Sequence, residues 1–130
     1  MAAIKRLKVQ PDVFLADAQG WAHPYHCGFA SLLGLALGKP TVGAAKSKLT
    51  GEPKEVDGRT LLFENHKIIG EEVSTREGSK KIYVSIGHMM SLETCVKIVQ
   101  QLSRTRIPEP LQQAHKLAVQ KRLELLTEAK

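Results

Sequence analysis

Hydrophobic positions along the chain change their spacing several times, and each change predicts an element. Val13-Phe14-Leu15-Ala16 is apolar on both faces, the pattern of a central parallel strand, and it runs into a single carboxylate, Asp17. Ala18-Gln19-Gly20 then makes a turn, and the polar, glycine-containing run AQGWAHPYHCG reads as a loop. Gly20 there either adopts positive φ or lets another group approach the backbone closely. Gly28 to Leu37, carrying Phe29, Leu32, Leu33, Ala36 and Leu37, reads as a helix so apolar that it calls for burial on more than one side. A Gly-Lys-Pro break leads to a second apolar run, Thr41 to Ala45, which ends on Lys46. The unit is strand–helix–strand with a charged side chain closing each strand. Ligands of open α/β sheets sit outside the carboxyl ends of parallel strands, so Asp17 and Lys46 are the first candidates for chemistry.

The flanks are read the same way. Residues 2 to 8 place Ala3, Ile4 and Leu7 on one helical face, as the last two turns of a helix. It begins without a capping residue, as expected of a chain whose earlier part is lacking. Residues 47 to 60 read as a polar loop. Leu61-Leu62-Phe63 and Ile68 to Val73 are two weaker strands, with Asn65-His66 as their turn. Lys81 to Ile86 alternates, with Ile82, Val84 and Ile86 on one face and Tyr83 and Ser85 on the other, and stops at Gly87-His88. Ser91 caps a helix from Leu92 to Ser103, whose core stripe is Leu92, Cys95, Val96, Val99 and Leu102. An extended Arg106-Ile107-Pro108 linker precedes a last helix from Leu111 to about Thr127. The expectation is one α/β domain over residues 1–130, a mixed sheet with flanking helices.

Composition changes this picture little. The chain is 42% hydrophobic and 25% charged, and only 5% aromatic, so its core is mainly aliphatic. A net charge of +6 suits an anionic partner such as nucleic acid without requiring one. Cys27 and Cys95 lack metal-type spacing and, each lying in a predicted helix, read as reduced core thiols. No apolar run approaches the roughly 18 residues that span a bilayer, and MAAIKRLKV has no signal-peptide core, so the expected location is intracellular, in cytoplasm or nucleus.

Each candidate has a bland reading beside the chemical one. An ionised Asp17 at a strand end is held by a metal or a partner, or it bonds its own backbone in an Asx turn. His88 is a general base, a phosphate partner or a loop histidine. His23 and His26 flank Pro24-Tyr25 as a possible metal pair or as ordinary loop residues. Lys46 binds phosphate or starts the polar loop as a solvated charge. His66 and His115 read as surface residues, and Arg104, Arg106, Lys116, Lys121 and Arg122 as a solvated basic face. Metal-assisted phosphodiester cleavage needs converging carboxylates, and beyond Asp17 no acidic residue ends a confident apolar strand.

Three runs carry a resemblance. PDVFLADAQGWAHPYHCGFASLLGLALGKPTVGAAKSKL resembles the central segment of endonuclease V, a nuclease acting on inosine-containing nucleic acid. YVSIGHMMSLETCVKIV and RIPEPLQQAHKLA resemble that family's carboxyl-terminal segment, in the same order and spacing. The resemblance implies a ribonuclease-H-like fold, here partial. It implies Mg²⁺ or Mn²⁺ as cofactor, and cleavage at the second phosphodiester bond 3′ to inosine in DNA or RNA. By the same resemblance Asp17 matches the metal-binding aspartate, Lys46 the lysine of the AK motif and His88 the histidine of the GH motif, as catalytic residues. His23 matches the HP motif and Gly20 the loop that encloses a flipped base.

The chain also departs from that pattern. The family's earlier antiparallel strands, its first catalytic aspartate, its catalytic glutamate and its strand-opening wedge have no counterpart here. Ala18 replaces a glycine, and Tyr25-His26 replaces a basic pair. Two alternatives follow: a degenerate homologue that binds nucleic acid or a protein without cutting, and, outside the family, a small module for a phosphorylated ligand. The uncovered sheet edge and the apolar helix predict a homo-oligomer or a partner chain.

Overall fold

The computed structural model describes residue 4 and residues 7–128. The helix expected over residues 2 to 8 falls largely outside the described residues. The strands are β1 (Phe14–Ala16), β2 (Thr41–Ala45), β3 (Glu52–Val56), β4 (Arg59–Glu64), β5 (Lys67–Val73) and β6 (Ile82–His88). The helices are α1 (Phe29–Leu37), α2 (Leu92–Leu102) and α3 (Glu109–Glu128). One six-stranded sheet runs in the order β1-β2-β6-β5-β4-β3. Only β1 and β2 are parallel; every other neighbour is antiparallel. This is the mixed sheet with flanking helices that the sequence predicts, with β1 at one open edge.

The crossover from β1 to β2 carries α1 over one face of the sheet, and α2 covers the other. Val42, Ala44, Ile82 and Val84 point toward α2 and bury Cys95, Val96 and Val99. Alternation sends Thr41 and Gly43 to the α1 face, where the Thr41 hydroxyl donates to the Ala30 carbonyl at 2.8 Å. A Cβ on Gly34 would overlap the Cβ of His88, so α1 approaches the sheet as closely as its backbone allows. The α1 helix is buried along one stripe only. Ala30, Ser31 and Gly34 pack inward, whereas Phe29, Leu32 and Leu35 are exposed, correcting the expected burial on more than one side. Its small residues make the close contact, Leu33 and Leu37 are half-buried, and its other large residues face out.

Three further expectations change. Residues 52–60, expected within a polar loop, instead form β3 and the start of β4, which pair around Asp57 and Gly58, with φ of 50° and 78°. Strand β6 extends through Gly87 to His88, which pairs with Thr41. Cys27 lies in the loop before α1 and not in a helix; both cysteines are free, and Cys95 is buried. The distal half of α3 stands clear of the sheet, with Leu117, Leu123, Leu125 and Leu126 exposed. Ser91 caps α2 as expected, accepting from the Thr94 amide at 3.2 Å. On β5, Glu71 is buried and is held by Arg59, whose Nε donates at 3.0 Å. That hydrogen bond raises the Arg59 pKa against the opposing effect of burial.

Candidate active site at the carboxyl ends of β1 and β2

Parallel pairing brings Asp17 and Lys46 side by side. Phe14 pairs with Thr41 and Ala16 with Gly43, so both strands finish at the same end of the sheet. The Lys46 ammonium lies 3.6 Å from the Asp17 carboxylate, and both side chains are about half exposed, 53% and 48%. A pair so open to water is worth little to the fold, roughly 0–1 kcal/mol, so either partner can be released to a ligand at small cost.

The surroundings hold the two backbones firmly. Arg106 donates to the Lys46 carbonyl at 2.8 Å and to the Lys81 carbonyl at 3.0 Å, tying the end of β2 to the start of β6. It therefore works as a clamp, not as part of a solvated basic face. Gln19 donates to the Ser47 carbonyl at 2.8 Å, tying the turn after Asp17 to the chain after Lys46. Asp17, Lys46, Thr105, Arg106, Gln112 and His115 line a surface cavity of about 230 Å³, with Ile107 and Leu111 as its apolar wall. His115, read from sequence as a surface residue, belongs to this cavity. It is exposed, as expected, and follows the buried Leu111 by one helical turn.

His88 does not join them. Strand β6 is antiparallel to β2, and His88 pairs with Thr41 at the start of β2, while Tyr83 pairs with Ala45 at its end. Along the ladder this separates His88 from Lys46 by more than about 13 Å. His88 is half-buried beside Gly34 under α1. The strand-end rule found both ends of β2 but needed strand direction to tell them apart.

Gly20 and His23 lie on the loop that leaves Asp17 and crosses the α1 face of the sheet. Gly20 is buried, its amide donates to the Ser85 hydroxyl at 2.9 Å, and a Cβ there would overlap the Ile86 carbonyl oxygen. Close approach, not positive φ, is what requires this glycine. Ala22 is buried against Leu62 and Ile69. His23 accepts from the Tyr25 amide at 3.2 Å, and His26 meets Glu64 at 2.9 Å, so these histidines do not form a metal pair. Among the described residues no three His, Cys, Asp or Glu side chains cluster as a metal centre. Among the described residues Asp17 is the carboxylate lining the cavity it shares with Lys46, and it could supply one oxygen ligand to a divalent ion. Mg²⁺ keeps several waters and takes one or two carboxylates, leaving other positions to water and phosphate oxygens.

A mixed sheet that crosses over from β1 to β2 and sets a carboxylate beside a lysine at their common end defines an α/β protein with a candidate site at that end. The Endonuclease V family model matches residues 1–116, and the chain belongs to the Endonuclease V family. It is 45% identical over 116 residues to the Endonuclease V of Thermofilum pendens, covering 87% of this chain and 50% of that protein. With the Endonuclease V of Dehalococcoides mccartyi it shares 39% over 125 residues, 92% of this chain and 56% of that one. The chain thus spans about half the length of the curated relatives it matches. The structure of the Bacillus subtilis Endonuclease V superposes with a TM-score of 0.89 at 30% identity, over 98% of this chain and 57% of that one. The Ciona intestinalis Endonuclease V, in complex with a 24mer DNA containing an inosine followed by a ribo-adenosine, superposes at 0.80 with 30% identity, over 95% and 61%. No helix among the described residues is long and apolar enough to cross a membrane.

Proposed function

We propose that this chain supplies one side of a divalent-metal endonuclease site that acts on inosine-containing DNA or RNA. The observation that carries the reading is the Asp17–Lys46 pair at the mouth of one cavity, on backbones fixed by Gln19 and Arg106. Asp17 would hold Mg²⁺ or Mn²⁺, which when bound lowers the pKa of water and polarises a phosphoryl oxygen. Lys46 releases Asp17 and pairs with the phosphate, offsetting charge that builds on its oxygens. Gly20 and His23, on the loop anchored across the sheet, flank the space for an extruded base. His88 acts on the packing of α1 and not on the reacting phosphate. The carboxylates that complete the site, and the surface that covers the β1 edge, come from beyond these 130 residues: the family's N-terminal half, on this or another chain.

A second reading is favoured by a specific observation. Asp17 is the one carboxylate lining that cavity among the described residues, so the chain by itself binds such a strand without cutting it. One assay separates the two. An end-labelled inosine-containing oligonucleotide is incubated with this chain and Mn²⁺. Cleavage at the second bond 3′ to the inosine, abolished by Asp17→Ala, supports the nuclease. Retention without cleavage, weakened by Lys46→Ala, supports the binding protein. Neither cleavage nor retention sinks both.

A further inference from the structure

The chain has only six aromatic residues of the Phe, Tyr and Trp type, three Phe, two Tyr and one Trp. Phe14, Phe63 and Tyr83 are partly buried. The remaining three, Trp21, Tyr25 and Phe29, fall within nine residues and are exposed by 43%, 86% and 63%. All the exposed aromatic surface among the described residues is thus gathered on the loop that leaves Asp17 and on the first residue of α1.

This loop is fixed in place. The Trp21 amide donates to the Ile86 carbonyl at 2.9 Å, the Gly28 amide to the Gly20 carbonyl at 3.0 Å, and Ala22 is buried between them. His26 sits at a φ of 54°, held by its amide bond to the His23 carbonyl at 2.8 Å and by its ring bond to Glu64. Its ring stacks on Trp21 with centroids 6.2 Å apart and planes 15° apart. Tyr25 tilts against His23 at 6.0 Å. Aromatic faces set in advance lose little conformational freedom when something stacks on them.

Charge and position favour one class of occupant. No Asp or Glu lies between Ala18 and Phe29, and Glu64, the carboxylate beside the loop, is engaged by His26. The chain carries +6 overall. Trp21 follows Asp17 by four residues, which spans at most about 14 Å, so a strand whose phosphate meets Lys46 can lay a neighbouring base on this surface. Flat aromatic faces accept any unpaired base, whereas paired bases keep their faces within the duplex.

We propose that Trp21 and Tyr25 form a stacking ledge for an unpaired nucleobase next to the phosphate held at Lys46. The proposal rests on the nucleic-acid reading above and adds a site to it. The ledge tolerates any sequence, so it fixes the path of the strand and does not read inosine.

Trp21 is the sole tryptophan, so its emission reports the contact directly. The intact chain is titrated with a single-stranded inosine-containing oligonucleotide without added metal, following emission and affinity over a range of salt. Trp21 emission is expected to quench in step with binding. Tyr25→Ala weakens binding roughly tenfold with the salt slope unchanged, because a stacking contact releases no counterions. Tyr25→Phe stays within about twofold, and Lys46→Ala lowers the salt slope by about one. Binding with unchanged Trp21 emission overturns the ledge, as does Tyr25→Ala at wild-type affinity or Tyr25→Phe as weak as Tyr25→Ala. If the unaltered chain binds no oligonucleotide, the nucleic-acid reading falls and the ledge with it. If it binds in a Lys46-dependent way without the Tyr25 effect, the ledge alone falls.

Discussion

The two ends of β2 do opposite work. At its start Thr41 is fully buried, donates to Ala30 and pairs with His88, which lies against Gly34. At its end Lys46 stands half in water beside Asp17, over a cavity. Both ends carry a polar side chain next to a strand terminus. One is packed so closely that a methyl group does not fit, and the other is loose enough for a charge to change partners. Packing density, not residue type, separates the two ends here.

The contrast can be broken from either side. The largest effect belongs to Gly34→Ala: its new Cβ overlaps His88, and a loss of about 2–3 kcal/mol is expected from urea unfolding. His88→Ala should cost about 1 kcal/mol and leave oligonucleotide affinity unchanged. A loss of affinity larger than the change in stability would return His88 to the site. At the open end the order reverses. Lys46→Ala and Asp17→Ala should each shift stability by less than about 1 kcal/mol. Lys46→Ala weakens oligonucleotide binding severalfold, and Asp17→Ala removes any Mn²⁺ dependence of binding or cleavage. A marked fall in melting temperature for either would show that the pair is structural.

The smallest effect is one of pH. Burial pushes the Cys95 thiol up to about 11 from an ordinary 9.0. An unfolded chain therefore loses this proton first. The stability that Cys95 contributes is complete below about pH 9 and is lost as pH rises toward 11. Cys95→Ala should flatten that alkaline decline. At pH 8 Cys27 should react with a thiol reagent at least tenfold faster than Cys95.

The strand–helix–strand unit was legible because glycine, proline and charge punctuate it: Asp17 and Gly20 after β1, Gly38 and Pro40 before β2. Gly38 closes α1 at a φ of 64°. Strand β3 was not legible. Every residue of Glu52–Val56 is exposed, so the strand has no buried face to leave an apolar pattern, and only Asp57-Gly58 marked the hairpin. Asp17 and Lys46 could be found because a short parallel crossover leaves two strand ends adjacent. His115 and Arg106 could not be placed without knowing where α3 begins and where its linker crosses. The distance of His88 from Asp17 and Lys46 was illegible for the same reason: a strand end has a position in the sequence, but its direction belongs to the sheet.

The two margins of the sheet also differ in what they allow to join. Strand β3 ends it with Glu52, Pro53, Lys54 and Glu55, where the proline lacks a donor and the charges repel a neighbour. Strand β1 ends it with the apolar Phe14-Leu15-Ala16. Any association by strand pairing would therefore use the β1 margin and not the β3 margin. Two copies of this sheet meeting along β1 would use up both receptive margins and leave only refractory ones outside, so such a pair would close on itself and not lengthen into a fibre.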